Sequence, residues 1–212
     1  MKCLIVSGGT PPAKSDLLKY MKDAALIIAA DGAADVFIRC DVLPHVIIGD
    51  MDSAKPHSIA YLSEQGAKTI HLQVAKNETD TQAALDYALW AGADDIVLLG
   101  ATGTRIDHTL ANISMLLRAA QAGVKCRIID RYNEIQAATM DFDIHGRKGQ
   151  TISILPLTSD ICVSATNLVY PLNELTLCRD ASRGISNIIQ KSPARIRISG
   201  GWALIVKIRR KA

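Results

Sequence analysis

Apolar and polar residues alternate along the first 130 residues in a pattern that predicts strands and helices in turn. Short runs rich in Ile, Leu, Val and Ala have the length of buried strands at residues 2–6, 24–30, 46–48, 68–72, 95–99 and 125–129. Amphipathic stretches with helical spacing lie between them, at residues 14–22, 33–40, 56–65, 81–90 and 108–122. This alternation is typical of βαβ units, so we predict a mainly parallel, Rossmann-like sheet with helices on both faces.

The pattern changes near residue 130, after which no stretch has the periodicity of a normal helix. Short alternating runs follow at residues 134–138, 150–155, 161–165, 174–177, 194–198 and 202–208, and turn-forming residues such as Ser199-Gly200-Gly201 separate them. Regularly spaced short strands are typical of an antiparallel sandwich or barrel. We therefore predict an α/β domain at residues 1–135, followed by a smaller all-β antiparallel sandwich domain at residues 136–212.

Composition narrows the classes of function. The net charge is only +3, and the chain lacks a dense basic patch with interleaved aromatic residues, so we expect no nucleic-acid partner. No run reaches the roughly 18 apolar residues of a membrane span, and the apolar stretch at the N-terminus is too short for a signal peptide. The five cysteines form no CxxC pair, which argues against a zinc site and for reduced thiols in a cytoplasmic protein.

Four acidic residues follow the ends of three predicted strands of the first domain. Asp31 follows the strand at residues 24–30, and Asp50 and Asp52 follow the strand at residues 46–48. Asp80 comes after the strand that ends at residue 72. Because the carboxyl ends of parallel strands meet at one edge of the sheet, these carboxylates are expected to converge there. Carboxylate oxygens bind hard cations such as Mg²⁺, so the pattern indicates a metal site and phosphate chemistry.

All four acids also have a purely structural interpretation. Asp50 and Asp52 can be a pair of loop residues whose mutual repulsion is screened by water. Asp31 can form a local turn with Gly32, and Asp80 lies in the first turn of a predicted helix, where its charge favours the helix dipole. Thr79 and Gln82 have the spacing of a capping box, which predicts that Thr79 caps this helix.

The segment at residues 99–112 runs from a strand through a loop of small residues into a helix. Backbone N–H groups at such a helix start can face an anion, and Arg105 adds donors that suit phosphate oxygens. Asp107 is a good candidate for the N-cap of this helix. The loop matches neither G-x-x-x-x-G-K-[ST] nor G-x-G-x-x-G, which disfavours the standard mononucleotide and dinucleotide loops. Gly8 and Gly9 follow the first strand, and either a ligand contact or a simple turn explains them.

Five motifs, in this order, resemble those of the thiamine pyrophosphokinase family: AADGA (29–33), IGDMDS (48–53), KNETDTQ (76–82), GATGTRIDHTLAN (100–112) and GISN (184–187). The resemblance implies an N-terminal α/β domain that binds ATP and Mg²⁺ and a C-terminal β-sandwich that binds thiamine. It also implies transfer of pyrophosphate from ATP to the thiamine hydroxyl, with AMP as the second product, by a homodimer whose active sites lie at the subunit interface.

The resemblance assigns roles to individual positions. It implies that Asp31, Asp50, Asp52 and Asp80 form a metal and phosphate cluster, in which Asp50, Asp52 and Asp80 are catalytic and bind the metal. The nucleotide side is implied to comprise Thr102, Arg105, Asp107 and Asn112, and the thiamine side Ser186, Asn187 and Trp202. Ser186-Asn187 also reads as a turn, and Trp202 as a core residue. The chain departs from the family pattern at Thr104, where glycine is usual, and at Ile188, where many members carry a polar residue.

The predicted reaction is a direct in-line transfer that depends on positioning and electrostatics. Asp80 or Asp52 orients or deprotonates the thiamine hydroxyl, and Mg²⁺ is held by Asp50 and Asp52. Two alternatives remain open at this stage. The Asp50-Met51-Asp52 sequence looks like the strand-end motif of haloacid dehalogenase-type phosphatases, in which the first aspartate is a nucleophile. A non-catalytic sensor of thiamine or a nucleotide is the other alternative.

Overall fold

The computed structural model describes residues 1–73 and 78–209, so Lys76 and Asn77 of the third motif lie outside the described residues. The chain divides into two compact units, Met1–Asp130 and Arg131–Ala212. The first strand of the second unit starts at Asn133.

The first unit is built on a parallel sheet. Its strands are β1 (Lys2–Val6), β2 (Leu26–Ala30), β3 (Val46–Gly49), β4 (Lys68–His71), β5 (Asp95–Leu99) and β6 (Lys125–Ile129). They lie in the order β6-β5-β1-β2-β3-β4, and each neighbouring pair is parallel. The helices are α1 (Lys14–Met21), α2 (Ala34–Cys40), α3 (Pro56–Glu64), α4 (Asp80–Trp90) and α5 (Ile106–Gln121), with a short 3₁₀ turn at Asp31–Ala33. The predicted α/β fold with a mainly parallel sheet is confirmed.

The order of the strands determines where a ligand can bind. From β1 the chain adds β2, β3 and β4 on one side, and then places β5 on the other side of β1. Loops beyond the carboxyl ends of strands separate at such a reversal and leave a crevice. The central strands are fully covered; Leu4, Ile5 and Leu98, for example, have no exposed surface. The ends of β1, β2 and β5 are therefore held rigidly around the crevice.

The second unit consists of antiparallel strands in its described part, as predicted. They are β7 (Asn133–Ile144), β8 (Thr151–Pro156), β9 (Ile161–Thr166), β10 (Leu172–Leu177), β11 (Asn187–Ile188) and β12 (Ala194–Ile208). The long strand β12 pairs with β7 along most of its length, with β9 through its first half and with β8 through its second half. Apolar side chains from β8, β9 and β12, such as Ile154, Val163 and Ile196, form its core.

One prediction for this unit is wrong. Ser199-Gly200-Gly201 was expected to separate two strands, but β12 continues through these residues. The register with β7 shifts between Ile198 and Ala203, so the extra residues are absorbed as a bulge. Glycine tolerates the irregular backbone of a bulge, and Gly200 has a positive φ of 85°.

The cysteines are free thiols. Cys3, Cys40 and Cys126 are buried, and Cys162 and Cys178 are half-buried. Within residues 1–73 and 78–209, no helix is long and apolar enough to cross a membrane.

Candidate active site

Three carboxylates meet at the carboxyl ends of β2 and β3. Asp31, Asp50 and Asp52 each offer an oxygen, and these oxygens all lie within 4.8 Å of one another. Asp80, at the start of α4, lines the cleft beside Asp31, and its charge helps to raise the pKa of Asp31. The structure thus brings three of the four predicted acids together and places Asp80 in the lining of the adjoining cleft.

Asp31 is the buried member of this group, with an exposed fraction of 2%. Its Oδ2 accepts a hydrogen bond of 3.0 Å from the backbone N–H of Ser53, in the loop after β3, so the side chain does not serve a local turn with the following glycine. Its Oδ1 is buried and has no hydrogen-bond partner among the described residues. Burial, followed by the charges of Asp80 and Asp50, raises the pKa of Asp31 against the lowering effect of the Ser53 bonds.

Hydrogen bonds within the loop after β3 position the other two acids, Asp50 and Asp52. The backbone N–H of Asp52 donates to Asp50 Oδ1 at 3.4 Å, and the Ser53 hydroxyl donates to Asp52 Oδ1 at 2.8 Å. Helix α3 begins only at Pro56, with Lys55 as an N-cap residue that makes no side-chain capping bond. Neither acid is therefore used to cap this helix.

These residues fit a divalent cation. The donors are carboxylate oxygens, as a hard cation requires, and one of the three carboxylates, that of Asp31, has a buried oxygen without a partner among the described residues. A bound cation would satisfy Asp31 Oδ1 and would offset the repulsion between the three carboxylates.

A cleft of about 600 Å³ opens beside the acidic group, at the ends of β1, β2 and β5 and the starts of α4 and α5. Sequence reasoning missed one of its lining residues, Ser7, whose exposed fraction is 2% and whose hydroxyl is buried without a partner among the described residues. A single serine at a strand end carries no sequence signal. The other lining residues include Gly8, Gly9, Thr10, Pro11, Asp31, Ser53, Thr79, Asp80, Thr102, Thr104, Arg105, His108, Thr109 and Asn112.

Two glycine loops are tied together at this cleft. The N–H of Gly9 donates to the Gly100 carbonyl at 2.8 Å, and the N–H of Thr10 donates to the Thr102 carbonyl at 2.7 Å. A Cβ at Gly9 would lie 2.4 Å from the Gly100 oxygen, which no side chain tolerates. Gly9 is therefore required by the close approach of the two loops, and not merely by a turn.

Side-chain contacts hold the second loop in shape. Asn112 has an exposed fraction of 7%, and its Nδ2 donates to the Ala101 carbonyl at 2.7 Å. The Thr102 hydroxyl donates to Asp130 Oδ2 at 3.2 Å. Both residues thus have a structural contact in addition to the nucleotide-side role predicted for them.

Arg105 and Asp107 form an ion pair at the rim of the cleft. Arg105 Nε donates to Asp107 Oδ1 at 3.1 Å, and a second guanidinium nitrogen donates to Oδ2. This hydrogen-bonded pairing lowers the pKa of Asp107 to about 2. The prediction that Asp107 caps the helix is wrong: α5 begins at Ile106, one residue earlier, so Asp107 lies inside the first turn.

The start of α4 is as predicted. The Thr79 hydroxyl accepts a hydrogen bond of 3.2 Å from the backbone N–H of Gln82, which is the expected cap. The cap fixes the first turn of the helix, and with it the position of Asp80 in the cleft.

The residues predicted for the thiamine side lie in the second unit. Ser186 is exposed, with a positive φ of 58°. Asn187 is buried and makes two bonds to the backbone of Tyr170: its Oδ1 accepts from the N–H at 3.1 Å and its Nδ2 donates to the carbonyl at 2.7 Å. Trp202 is half-buried in the bulged part of β12, where its backbone N–H donates to the Thr158 hydroxyl. Asn187 therefore has a clear structural use, whereas Ser186 leaves its side chain exposed.

Two family models match the chain. The model described as "Thiamin pyrophosphokinase, catalytic domain" matches residues 17–128. The model described as "Thiamin pyrophosphokinase, vitamin B1 binding domain" matches residues 134–202.

Individual proteins and structures agree with these matches. The chain is 30% identical over 207 residues to thiamine pyrophosphokinase of Bacillus subtilis (strain 168), covering 96% of each sequence. It is 26% identical over 198 residues to thiamine pyrophosphokinase 1 of Oryza sativa subsp. japonica, covering 82% of this chain and 75% of that protein. The crystal structure of the Bacillus subtilis thiamine pyrophosphokinase superimposes with a TM-score of 0.89 at 28% identity, covering 98% of this chain and 99% of that one.

Proposed function

The chain belongs to the thiamin pyrophosphokinase family, and on this premise we propose that the acidic cleft of its first unit is where it transfers pyrophosphate from ATP to the hydroxyl of thiamine, giving thiamine diphosphate and AMP. The observation that carries the proposal is the group formed by Asp31, Asp50 and Asp52 at the edge of a cleft of about 600 Å³. A triphosphate with its cation needs both features, namely a cluster of hard oxygen ligands and adjoining space.

Mg²⁺ would be held by Asp50 and Asp52, with the carboxylates of Asp31 and Asp80 completing its set of oxygen ligands. When bound, the cation supplies positive charge that stabilises the phosphate oxygens during transfer. The support for this proposal is the all-oxygen donor set and the buried Asp31 Oδ1, which has no hydrogen-bond partner in the part of the chain that the structure describes.

The nucleotide would contact the loop at residues 100–105 and the start of α5. Thr102, Arg105, Asp107 and Asn112 are the residues we propose for this side. Arg105 is 69% exposed in its side chain, and its guanidinium can exchange the Asp107 carboxylate for a phosphate oxygen without moving the backbone. Asn112 and Thr102 would act by keeping the loop in place through their bonds to Ala101 and Asp130.

In the proposed transfer, the hydroxyl oxygen of thiamine forms a bond to the β-phosphorus of ATP. The bond between this phosphorus and the oxygen that bridges to the α-phosphate breaks, and that oxygen leaves on AMP. The hydroxyl proton passes to a carboxylate, for which Asp80 and Asp52 are the candidates. Asp80 lines the cleft and Asp52 belongs to the acidic group with Asp31, so a carboxylate at either position can also orient the hydroxyl for in-line attack.

Thiamine would be bound by the second unit, through Ser186, Asn187 and Trp202. The match of residues 134–202 to a vitamin B1 binding domain supports this division of labour between residues 1–135 and 136–212. A tryptophan face against the cationic thiazolium ring would form a cation–π contact.

The decisive experiment is incubation of the purified protein with ATP, Mg²⁺ and thiamine, followed by analysis of the nucleotide product. AMP formed in step with thiamine diphosphate is the expected result. ADP would indicate simple phosphoryl transfer instead. A trapped phosphoryl group on Asp50 would support a phosphatase, and tight thiamine or ATP binding without AMP would support a sensor; the comparisons favour neither alternative.

We also propose that the enzyme is a cytoplasmic homodimer with its active sites at the subunit interface. The free thiols of the described residues are consistent with a reducing compartment. Light scattering tests the dimer. Mixing Asp52→Asn protein with Trp202→Ala protein tests the shared site: partial recovery of activity is expected if each site combines residues of two subunits, whereas no recovery from a confirmed mixed dimer contradicts it.

A further inference from the structure

Gly49 is a glycine at the end of a buried strand whose other residues are all β-branched, and it directly precedes the acidic loop. Strand β3 reads Val46-Ile47-Ile48-Gly49, and all four residues are buried. A buried parallel strand favours β-branched side chains at such positions, and glycine weakens a strand. Glycine inside a strand often marks a place where another part of the chain approaches closely.

The residue that approaches Gly49 is Asp31. A Cβ at position 49 would lie 2.6 Å from Asp31 Cβ, 3.1 Å from its Cα and 3.2 Å from its Cγ. Contacts below 3.0 Å do not occur between real Cβ atoms, so one of the two residues would have to move. The Cα is backbone and cannot swing away as the end of a long side chain can.

Asp31 cannot easily move away from a side chain at position 49. Its φ is 39°, in the left-handed region that is unfavourable for a residue with a side chain. Its Oδ2 is bonded to the N–H of Ser53, and a Cβ at the next residue, Gly32, would lie 3.4 Å from the Ser53 Cβ, so the two loops already approach closely. A push on Asp31 would therefore displace its carboxylate from the oxygens of Asp50 and Asp52.

We propose that Gly49 is a positioning residue for the cation site: the absence of its side chain allows Asp31 to reach Asp50 and Asp52. The inference rests on the proposed function, because it assigns the acidic group to a divalent cation. A purely structural role is the alternative, in which Gly49 affects packing of the sheet but not the carboxylates.

The first test measures cation binding rather than turnover. Mn²⁺, which shares the preference of Mg²⁺ for oxygen ligands, is titrated into the wild type, Gly49→Ala and Ile47→Ala and followed by electron paramagnetic resonance. Ile47 is fully buried in the apolar core and carries no ligand atom, so its truncation tests whether a loss of packing in β3 is by itself enough to weaken binding. We expect roughly 10- to 100-fold weaker Mn²⁺ binding for Gly49→Ala and wild-type binding for folded Ile47→Ala.

The second test needs no metal. Urea unfolding is compared for Gly49→Ala, Asp31→Gly and the double variant, because glycine at position 31 removes the clashing Cβ and accepts the positive φ. Gly49→Ala should lower the unfolding midpoint strongly in the wild type and much less in Asp31→Gly. If Gly49→Ala does not fold, recovery of folding in the double variant also shows that the Asp31 side chain is what clashes with a side chain at position 49.

The outcomes separate this inference from the proposed function. A wild type that binds no Mn²⁺, with or without ATP, refutes the proposed cation site, while the unfolding cycle still reports on the Gly49–Asp31 contact. Wild-type Mn²⁺ affinity in folded Gly49→Ala overturns the positioning role. Equal destabilisation by Gly49→Ala in both backgrounds also overturns it.

Discussion

Truncation of Asn112 should reveal how much the nucleotide-side loop depends on one side chain. In Asn112→Ala, the Ala101 carbonyl loses the donor that now approaches to 2.7 Å, and Ala101 itself is only 2% exposed. A buried carbonyl left without a partner costs about 1–3 kcal/mol. We therefore expect the free energy of unfolding to fall by about 2 kcal/mol and the melting temperature to fall by about 4–8 °C.

Urea unfolding followed by circular dichroism measures this change, and Ser114→Ala is the matched control. Ser114 lies on the same helix, is exposed and bonds to the Leu110 carbonyl, so its truncation should cost only a few tenths of a kcal/mol, as is usual for the surface. Asn112→Ala should also raise the KM for ATP by roughly tenfold, because the loop at residues 100–105 shifts away from the proposed phosphate positions. Equal stability of Asn112→Ala and Ser114→Ala would refute the reasoning.

Three further predictions concern the cleft. Asp52→Asn should lower kcat severely, by roughly a hundredfold or more, while leaving the circular dichroism spectrum and melting temperature close to wild type; near-wild-type turnover of the folded variant would rule out the metal assignment. Asp107 should titrate near pH 2 by NMR, and its pKa should rise toward 3.8 in Arg105→Ala. Because its folded-state pKa is depressed, the stabilisation from this pair is present above pH 3.8 and is lost as the pH falls through 2. Ser7→Ala should not lower the free energy of unfolding, since the hydroxyl has no hydrogen-bond partner among residues 1–73 and 78–209, and a loss above about 1 kcal/mol in urea unfolding would show that it has one.

The strands of the first unit were the most predictable part of the fold. The bounds of β1, β5 and β6 agree with the apolar runs at residues 2–6, 95–99 and 125–129. Strands buried on both faces need uninterrupted apolar residues, and polar residues or glycine mark their ends, so the local sequence contains the necessary information. The cap at Thr79 was predictable for the same reason, because the capping box acts within four residues.

Errors arose where the local sequence permits more than one partner. Asp107 has the chemistry of a helix cap, but a carboxylate in the first turn can also pair with the arginine two residues before it, and the charge-assisted pair forms instead. Ser199-Gly200-Gly201 has the composition of a turn, yet pairing with β7 and β9 on both sides carries β12 through it as a bulge. In both cases the composition of the segment allows two structures, and the partner that is available, Arg105 or the strands β7 and β9, decides which one forms.

The amino-acid sequence by itself determined the two-part architecture, the family and the set of candidate residues, because these depend on periodicity and on motifs of a few residues. Only the tertiary structure decided how those residues are used. It brought Asp31 within reach of Asp50 and Asp52, bound its Oδ2 to Ser53 and buried its Oδ1 without a hydrogen-bond partner among the described residues. It also placed the bare backbone of Gly49 against Asp31. These contacts join residues that are distant in sequence, and they exist only after the parallel sheet has aligned the ends of its strands.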